Sequence, residues 1–355
     1  MQVPLLHPLL WIVVVALVVR LHRRHSQTPF RLLTDRHGNE AIVVRGTIDS
    51  NSYFFMVDTA YAGAPVLSTS YLMLPRPPPL LSLEAQYRHV VDRLDGTLSA
   101  DAHHRAVASL LGRASCRSFT SGCTMRLMGI GTTMETQTDM LLCDAVRLDG
   151  QTAVYEADMF VTHPLPSSVH ILTMDFLLHR APCIIMPRRG IICWRALHTA
   201  ERSFEFHTPQ FVGGAPRITM VVGGAHLNIV LDTGAGAALS LSAEAAQRIE
   251  ACERTSIQKA TQTGVNGERV CSDAIATQVR IGQLYLGNIE VFVNTGHVEG
   301  ADGYAGMGLL RMLDMWLSAY RIGLRLSGLP ARVSQALSPG SCNEGKPLMC
   351  LPRQT

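Results

Sequence analysis

Two aspartates close two apolar runs in this chain. Tyr53-Phe54-Phe55-Met56-Val57 ends at Asp58, and Asn228-Ile229-Val230-Leu231 ends at Asp232. Each acid is followed by a threonine, Thr59 or Thr233, and then by mostly small residues: Ala60 and Tyr61 in one case, Gly234-Ala235-Gly236 in the other. An apolar run that delivers an acid into such a turn reads as strand, sharp turn, strand. Small residues let backbone N–H groups approach the carboxylate, which bulky ones would prevent. Carboxyls are general acids and bases. Two of them held a few Å apart cannot both ionise cheaply, so one keeps a proton while the other is charged. The charged member can take a proton from water, and the protonated member can donate to a carbonyl oxygen. Such a pair titrates as a unit, so the proton belongs to neither acid alone.

The surrounding elements repeat. Asp58 and Asp232 stand 174 positions apart, and at that offset Thr59 meets Thr233, Ala60 meets Gly234, Leu67 meets Leu241 and Ser68 meets Ser242, with no gap. A hairpin precedes each acid: Ala41 to Val57 around a turn at 47–52, and Ile218 to Leu231 around Gly223-Gly224-Ala225. A second hairpin with a glycine tip follows, at Gly129-Ile130-Gly131 in the first half and at Gly264-Val265-Asn266-Gly267 in the second; Asn-Gly beside apolar alternation is a strong turn signal. Strand pairs come next, at Met140–Val146 with Val154–Val161, and at Ala274–Ile281 with Ile289–Val293. Each half closes on an apolar-apolar-x-Met-x-x-Leu element, Ile171 to Leu177 and Tyr304 to Leu310. A repeat this long implies two similar lobes rather than a solenoid.

Hairpin, Asp-Thr loop, glycine-tipped hairpin and closing element, in that order and twice, resemble a retropepsin-like aspartic protease lobe. Two in one chain resemble a fused retropepsin dimer, or the bilobal layout of pepsin-like enzymes. The resemblance implies an all-β fold of two similar β-barrel lobes with short helices. It implies an aspartic endopeptidase with Asp58 and Asp232 as the catalytic pair. Thr59 and Thr233 would tie the two loops together, Gly234 and Gly306 would support them, and the tips at Gly129–Gly131 and Gly264–Gly267 would be flaps over a peptide or protein substrate. Such a reaction needs no cofactor and no metal, and a monomer would supply both halves of one site.

The first lobe departs from the family pattern at three places. Ala60 stands where glycine is usual, Tyr61 where a small residue is usual, and Thr173 where glycine is expected beneath the loop. These departures set up an alternative: a catalytically inactive pair of lobes that binds extended peptides. Asp175 reads as a structural acid, because Gly308 takes its place in the second half. Gly234-Ala235-Gly236 lacks the Lys-Ser/Thr of a phosphate loop, and Asp232 would repel phosphate. Ala235 offers the acids no hydroxyl donor, so the pair is expected to work at mildly acidic to near-neutral pH.

The remaining chain frames these lobes. With 355 residues, 47% hydrophobic and 17% charged, a sizeable core is expected. A net charge of +3 with scattered basic residues gives no case for nucleic acid. Residues 1–25 read as a membrane anchor helix with a basic flank, since Val3 to Val19 is mostly apolar and Arg20, Arg23 and Arg24 follow. About 17 apolar residues span about 25 Å, against a hydrocarbon core of about 30 Å. The basic flank places a single-pass protein's globular part in the cytosol. The expected divisions are a first lobe over 40–195 with an insertion at about 70–120, a linker over 196–214, a second lobe over 215–327, and an irregular tail over 328–355. In the insertion, the prolines at 75–79 exclude helix, a helix is expected near Leu83–Leu94, and a polar loop follows. His103-His104 falls in that loop and reads as solvated. The 9 cysteines show no zinc spacing and read mostly as free thiols, although Cys116 and Cys123 flank a polar stretch and could pair.

Overall fold

A computed structural model of the chain describes residues 27–328, apart from 35–38, 49–50, 62, 75–80, 95–99, 112–115, 130–131, 151–154, 163–168, 181, 195–202, 250–256, 264–268 and 294–299. The first half carries strands β1 (Gln27–Thr34), β2 (Glu40–Ile48), β3 (Asn51–Asp58), β4 (Val66–Ser68), β5 (Cys116–Gly129), β6 (Thr132–Leu148), β7 (Tyr155–Thr162), β8 (His170–Thr173), β9 (Cys183–Met186) and β10 (Ile191–Trp194). Its helices are α1 (Thr69–Met73), α2 (Leu83–Val91), α3 (Ala100–Leu111) and α4 (Met174–Leu178). The second half has β11 (Glu205–His207), β12 (Gln210–Val212), β13 (Ala215–Val222), β14 (Ala225–Leu231), β15 (Leu239–Leu241), β16 (Ile257–Thr263), β17 (Arg269–Ile281), β18 (Leu284–Val293), β19 (Gly303–Ala305), β20 (Leu313–Leu317) and β21 (Ile322–Leu326), with helices α5 (Ala243–Gln247) and α6 (Met307–Leu310). The protein is therefore built mostly of β-sheet with short helices, as the alternating apolar runs imply.

The internal repeat is visible in the sheet order. The run β2-β3-β8-β4-β7-β6-β5 in the first half has the same order as β13-β14-β19-β15-β18-β17-β16 in the second. The hand of each pairing also matches: β3 runs parallel to β8 and β14 to β19, while β4 runs parallel to β7 and β15 to β18. The aligned serines have one local role. Ser68 Oγ accepts from Tyr71 N and caps α1, and Ser242 Oγ accepts from Ala245 N and caps α5.

Backbone pairing joins the halves. β9 pairs antiparallel with β20, placing Ile185 opposite Met315 and Cys183 opposite Leu317. This continues into β21 and β11 on one side and into β10 and β1 on the other. Most buried apolar residues of both halves form one contiguous cluster, from Phe55 and Leu172 to Leu231, Met307 and Leu324. The five residues of β20, Leu-Asp-Met-Trp-Leu, are all buried, so the strand shows none of the polar–apolar alternation that a half-exposed strand displays.

Several expectations need correction. The polar loop of the insertion contains the twelve-residue helix α3, on which His104 is exposed; the apolar residues Ala102, Ala106 and Val107 bury one face and explain the helix. The segment read as a linker holds β11 and β12, because Phe204 packs against Trp316 and Phe206 and pins β11 to the joining sheet. A strand, β1, precedes residue 40 and pairs with both β2 and β10. Ser327, the last residue expected in the second lobe, is buried and donates to Asp314. Cys116 and Cys123 lie on the single strand β5, opposite Cys143 and Thr138. Their partners on β6 are five residues apart, on the order of 15–20 Å at about 3.3 Å per residue, which is too far for a disulfide. The N-terminal segment and the tail beyond residue 328 lie outside the described residues. Among those described, no helix is long and apolar enough to cross a membrane.

Candidate active site

Asp58 is the last residue of β3, and Asp232 follows directly on β14. The positions are set from beneath. Asp58 lies in register with Thr173 on the parallel strand β8, and Asp232 N donates to Ala305 O on β19 at 2.9 Å. The strands feeding the two acids end in buried residues: Phe54, Phe55 and Val57 on β3, and Ile229, Val230 and Leu231 on β14. Core packing therefore fixes where each strand ends, and so where each carboxyl emerges.

The two loops are bonded to each other. Thr59 N donates to Thr233 Oγ1 at 3.1 Å, and Thr233 N donates to Thr59 Oγ1 at 3.1 Å. Each hydroxyl then donates onward to the opposite strand, Thr59 Oγ1 to Leu231 O at 2.8 Å and Thr233 Oγ1 to Val57 O at 2.6 Å. Both threonines are buried, so every donor and acceptor in this group needs the partner it has.

The carboxyls are held by matching donors. Asp58 Oδ1 accepts from Ala60 N at 2.9 Å and Tyr61 N at 3.1 Å; Asp232 Oδ1 accepts from Gly234 N at 2.8 Å and Ala235 N at 3.1 Å. The two side chains come close to each other beside Gly234, where Asp58 Oδ2 and Asp232 Oδ1 both border the space that a Cβ would take. Both keep part of their surface exposed, yet they are enclosed enough for desolvation to dominate their titration. Burial raises Asp58 above the usual carboxylate range against the pull of the Ala60 and Tyr61 N–H groups. Burial and then the charge of Asp58 raise Asp232 further, against the Gly234 and Ala235 N–H groups. This is the behaviour of a pair that holds one proton between two acids.

Gly234 is required by this closeness. A Cβ there would lie 2.6 Å from Asp58 Oδ2 and 3.2 Å from Asp232 Oδ1. The aligned Ala60 carries a methyl without that conflict, and it packs with Val230, Tyr304 and Ala235. Tyr61 is accommodated half-buried, its phenol pushed to higher pKa by burial and by the charge of Asp58. Gly306 lies under the second loop, where a Cβ would meet Ala235 O and Ala237 O, each at 2.4 Å.

Of the expected flap residues, Gly129 ends β5 and pairs with Thr132 at the start of β6. Ile130, Gly131, Gly264, Val265, Asn266 and Gly267 lie outside the described residues. Among those described, no group of acids, histidines and cysteines could hold a metal ion. The sequence reading missed three neighbours of the site. Asn39 packs on Gly236, whose Cβ would lie 2.6 Å from its Oδ1. Glu40 pairs with Arg311 at 2.8 Å, linking the start of β2 to the end of α6. Asp175 accepts from Gly63 N at 2.9 Å, so the acid read as merely structural reaches the Asp58 loop. Only Asp175 left a trace in the sequence, as the acid that breaks the match between the two closing elements.

Comparison with known proteins agrees with this geometry for one half. A family model described as aspartyl protease matches residues 218–312, which run from the hairpin before Asp232 to the end of the closing element. This supports an aspartic protease-like domain in that span. No curated protein matches the chain.

Proposed function

We propose that Asp58 and Asp232 form one catalytic pair, supplied by two lobes of a single chain, and that the protein is an aspartic endopeptidase. The observation that carries the reading is the approach of the two carboxyls beside Gly234, while two backbone N–H groups hold each of them. In the proposed reaction the ionised member takes a proton from a water lodged between the acids. That water attacks the peptide carbonyl carbon. The protonated member donates to the carbonyl oxygen and later helps protonate the leaving amine. The N–H groups and the Thr59–Thr233 bonds fix both acids before the substrate arrives, so little rearrangement is left for the reaction itself. The hairpins ending at Gly129 and Thr263 would cover an extended peptide, and the N-terminal apolar segment would tether the protein to a membrane.

The test is cleavage of a mixed peptide library across pH by the full chain and by Asp58→Asn and Asp232→Asn. Loss in both variants fits one pair per chain. Loss in Asp232→Asn alone means that the site forms between the second halves of two chains. Full activity in Asp232→Asn would falsify the reading. Ala60 and Tyr61 favour a second reading, a peptide-binding protein without hydrolysis; it predicts peptide binding that both variants retain and no cleavage by the parent chain.

A further inference from the structure

The two acid loops are supported from below by the same corner of the fold, but by different atoms. In the second half the corner is Gly306-Met307-Gly308. Its three backbone N–H groups donate to the loop: Gly306 to Ala238 O at 3.2 Å, Met307 to Ala235 O at 2.7 Å and Gly308 to Gly236 O at 3.1 Å. Two of the three residues must be glycine for the backbones to meet. A Cβ on Gly306 would lie 2.4 Å from Ala235 O and Ala237 O, and one on Gly308 would lie 2.7 Å from Ala238 N.

In the first half the corner is Thr173-Met174-Asp175, and both glycines are gone. The central bond survives, from Met174 N to Tyr61 O at 2.9 Å. Two side-chain bonds stand beside it, and both fall on Gly63. Thr173 Oγ1 donates to Gly63 O at 2.5 Å, and Asp175 Oδ2 accepts from Gly63 N at 2.9 Å. Thr173 Oγ1 also accepts from Phe176 N at 3.3 Å and so caps α4. The Thr173 hydroxyl and the Asp175 carboxylate are groups that the glycines of the second half do not have. Gly63 has φ +100°, and a Cβ there would meet nothing within 4 Å, so backbone conformation rather than space selects glycine.

The geometry points to Asp175 and Thr173 as positioning residues: a two-sided side-chain clamp on Gly63 that sets the Asp58 loop against the Asp232 loop. The aligned corner of the second half, with glycine at both positions, has no side chains to make such a clamp. The inference rests on the reading of Asp58 as half of a catalytic pair.

The test uses the full chain with Asp175→Ala and Asp175→Asn, whose amide oxygen still accepts from Gly63 N. A second pair at the same corner is Thr173→Val and Thr173→Ser. Two readouts are taken well below the melting temperature: kcat and KM on a cleaved peptide, and the titration of the two acids by carboxyl NMR, which needs no activity. The clamp predicts that Asp175→Ala and Thr173→Val lower kcat by about tenfold to a hundredfold with KM little altered. It also predicts that they raise the apparent titration of the pair, because the Ala60 and Tyr61 N–H groups are drawn off Asp58. Asp175→Asn and Thr173→Ser restore both readouts. A purely structural role predicts a lower melting temperature with kcat and titration unaltered, and that result overturns the clamp. If the parent chain cleaves no peptide while the titration still moves in Asp175→Ala, the peptidase reading fails and the clamp stands. If Asp175→Ala does not fold, the Thr173 pair decides on the same two readouts.

Discussion

Thr59 and Thr233 are bonded to each other twice, each backbone N–H donating to the other's hydroxyl at 3.1 Å. The bonds are reciprocal, so neither loop can hold its position without the other. Removing one hydroxyl leaves a buried N–H and a buried carbonyl unpaired. Thr233→Val should therefore cost about 2 kcal/mol or more in stability and should abolish cleavage by separating the acids. Thr233→Ser should keep most of both. Denaturant titration and a peptide assay on the same preparations check this, and a fully active Thr233→Val would contradict it.

The same asymmetry of packing that lets Ala60 stand opposite Gly234 gives a paired prediction. Gly234→Ala would put a methyl 2.6 Å from Asp58 Oδ2. It should destabilise the fold by about 1–3 kcal/mol through overpacking and reduce activity at least a hundredfold, because the displaced group is a reacting carboxyl. Ala60→Gly removes only a methyl that packs on Val230 and Tyr304. It should leave activity within a few fold. Comparable losses in both variants would mean that the loops are more alike than their contacts indicate.

The acids set a pH dependence whose sign follows from their burial. Both are raised in the folded state, so folding favours their protonated forms. Their contribution to stability is complete below the unfolded value near 4 and is lost as pH rises through the folded values. Asp232→Asn should thus abolish cleavage yet raise the melting temperature at pH 7, with the gain shrinking toward pH 4. In the active chain the pH–rate profile should extend from mildly acidic into near-neutral pH, since the protonated member persists there. A melting temperature lowered by Asp232→Asn at pH 7 would overturn the assignment of strain to the pair.

His170 adds an opposite dependence. It is fully buried among the rings of Tyr53, Phe55 and Tyr71, and its Nδ1 accepts from Ser68 N at 3.0 Å. Burial lowers its pKa to about 3. The folded state thus holds it neutral while the unfolded chain protonates it below about 6.5. Its contribution is complete above that value and is lost progressively as pH falls toward 3. The chain should lose on the order of 2–3 kcal/mol between pH 6.5 and 4.5 from this residue alone. His170→Leu should be less stable than the parent at pH 7.5, having left Ser68 N unpaired, and less sensitive to acid. Denaturant titrations at pH 7.5 and 4.5 compare them; equal acid sensitivity in the two proteins would exclude His170 as the source.

The sequence by itself determined what is local. Apolar runs, a sharp turn and small residues mark each Asp loop, and the gapless alignment over Asp58–Ser68 and Asp232–Ser242 reappears as matched N–H donors, reciprocal threonines and equivalent serine caps. The hairpin from Gly129 to Thr132 falls where Gly129-Ile130-Gly131 marks it. These features depend on φ/ψ preference and on contacts within a few residues, which a sequence displays directly. The tertiary structure alone decided how the halves meet. The pairing of β9 with β20 joins strands about 130 residues apart, and both are buried on each face, so neither shows an alternation that would name its partner. The role of Asp175 was hidden for a related reason. Its partner Gly63 lies 112 residues away in the chain, and the two meet only because β3 and β8 pack side by side.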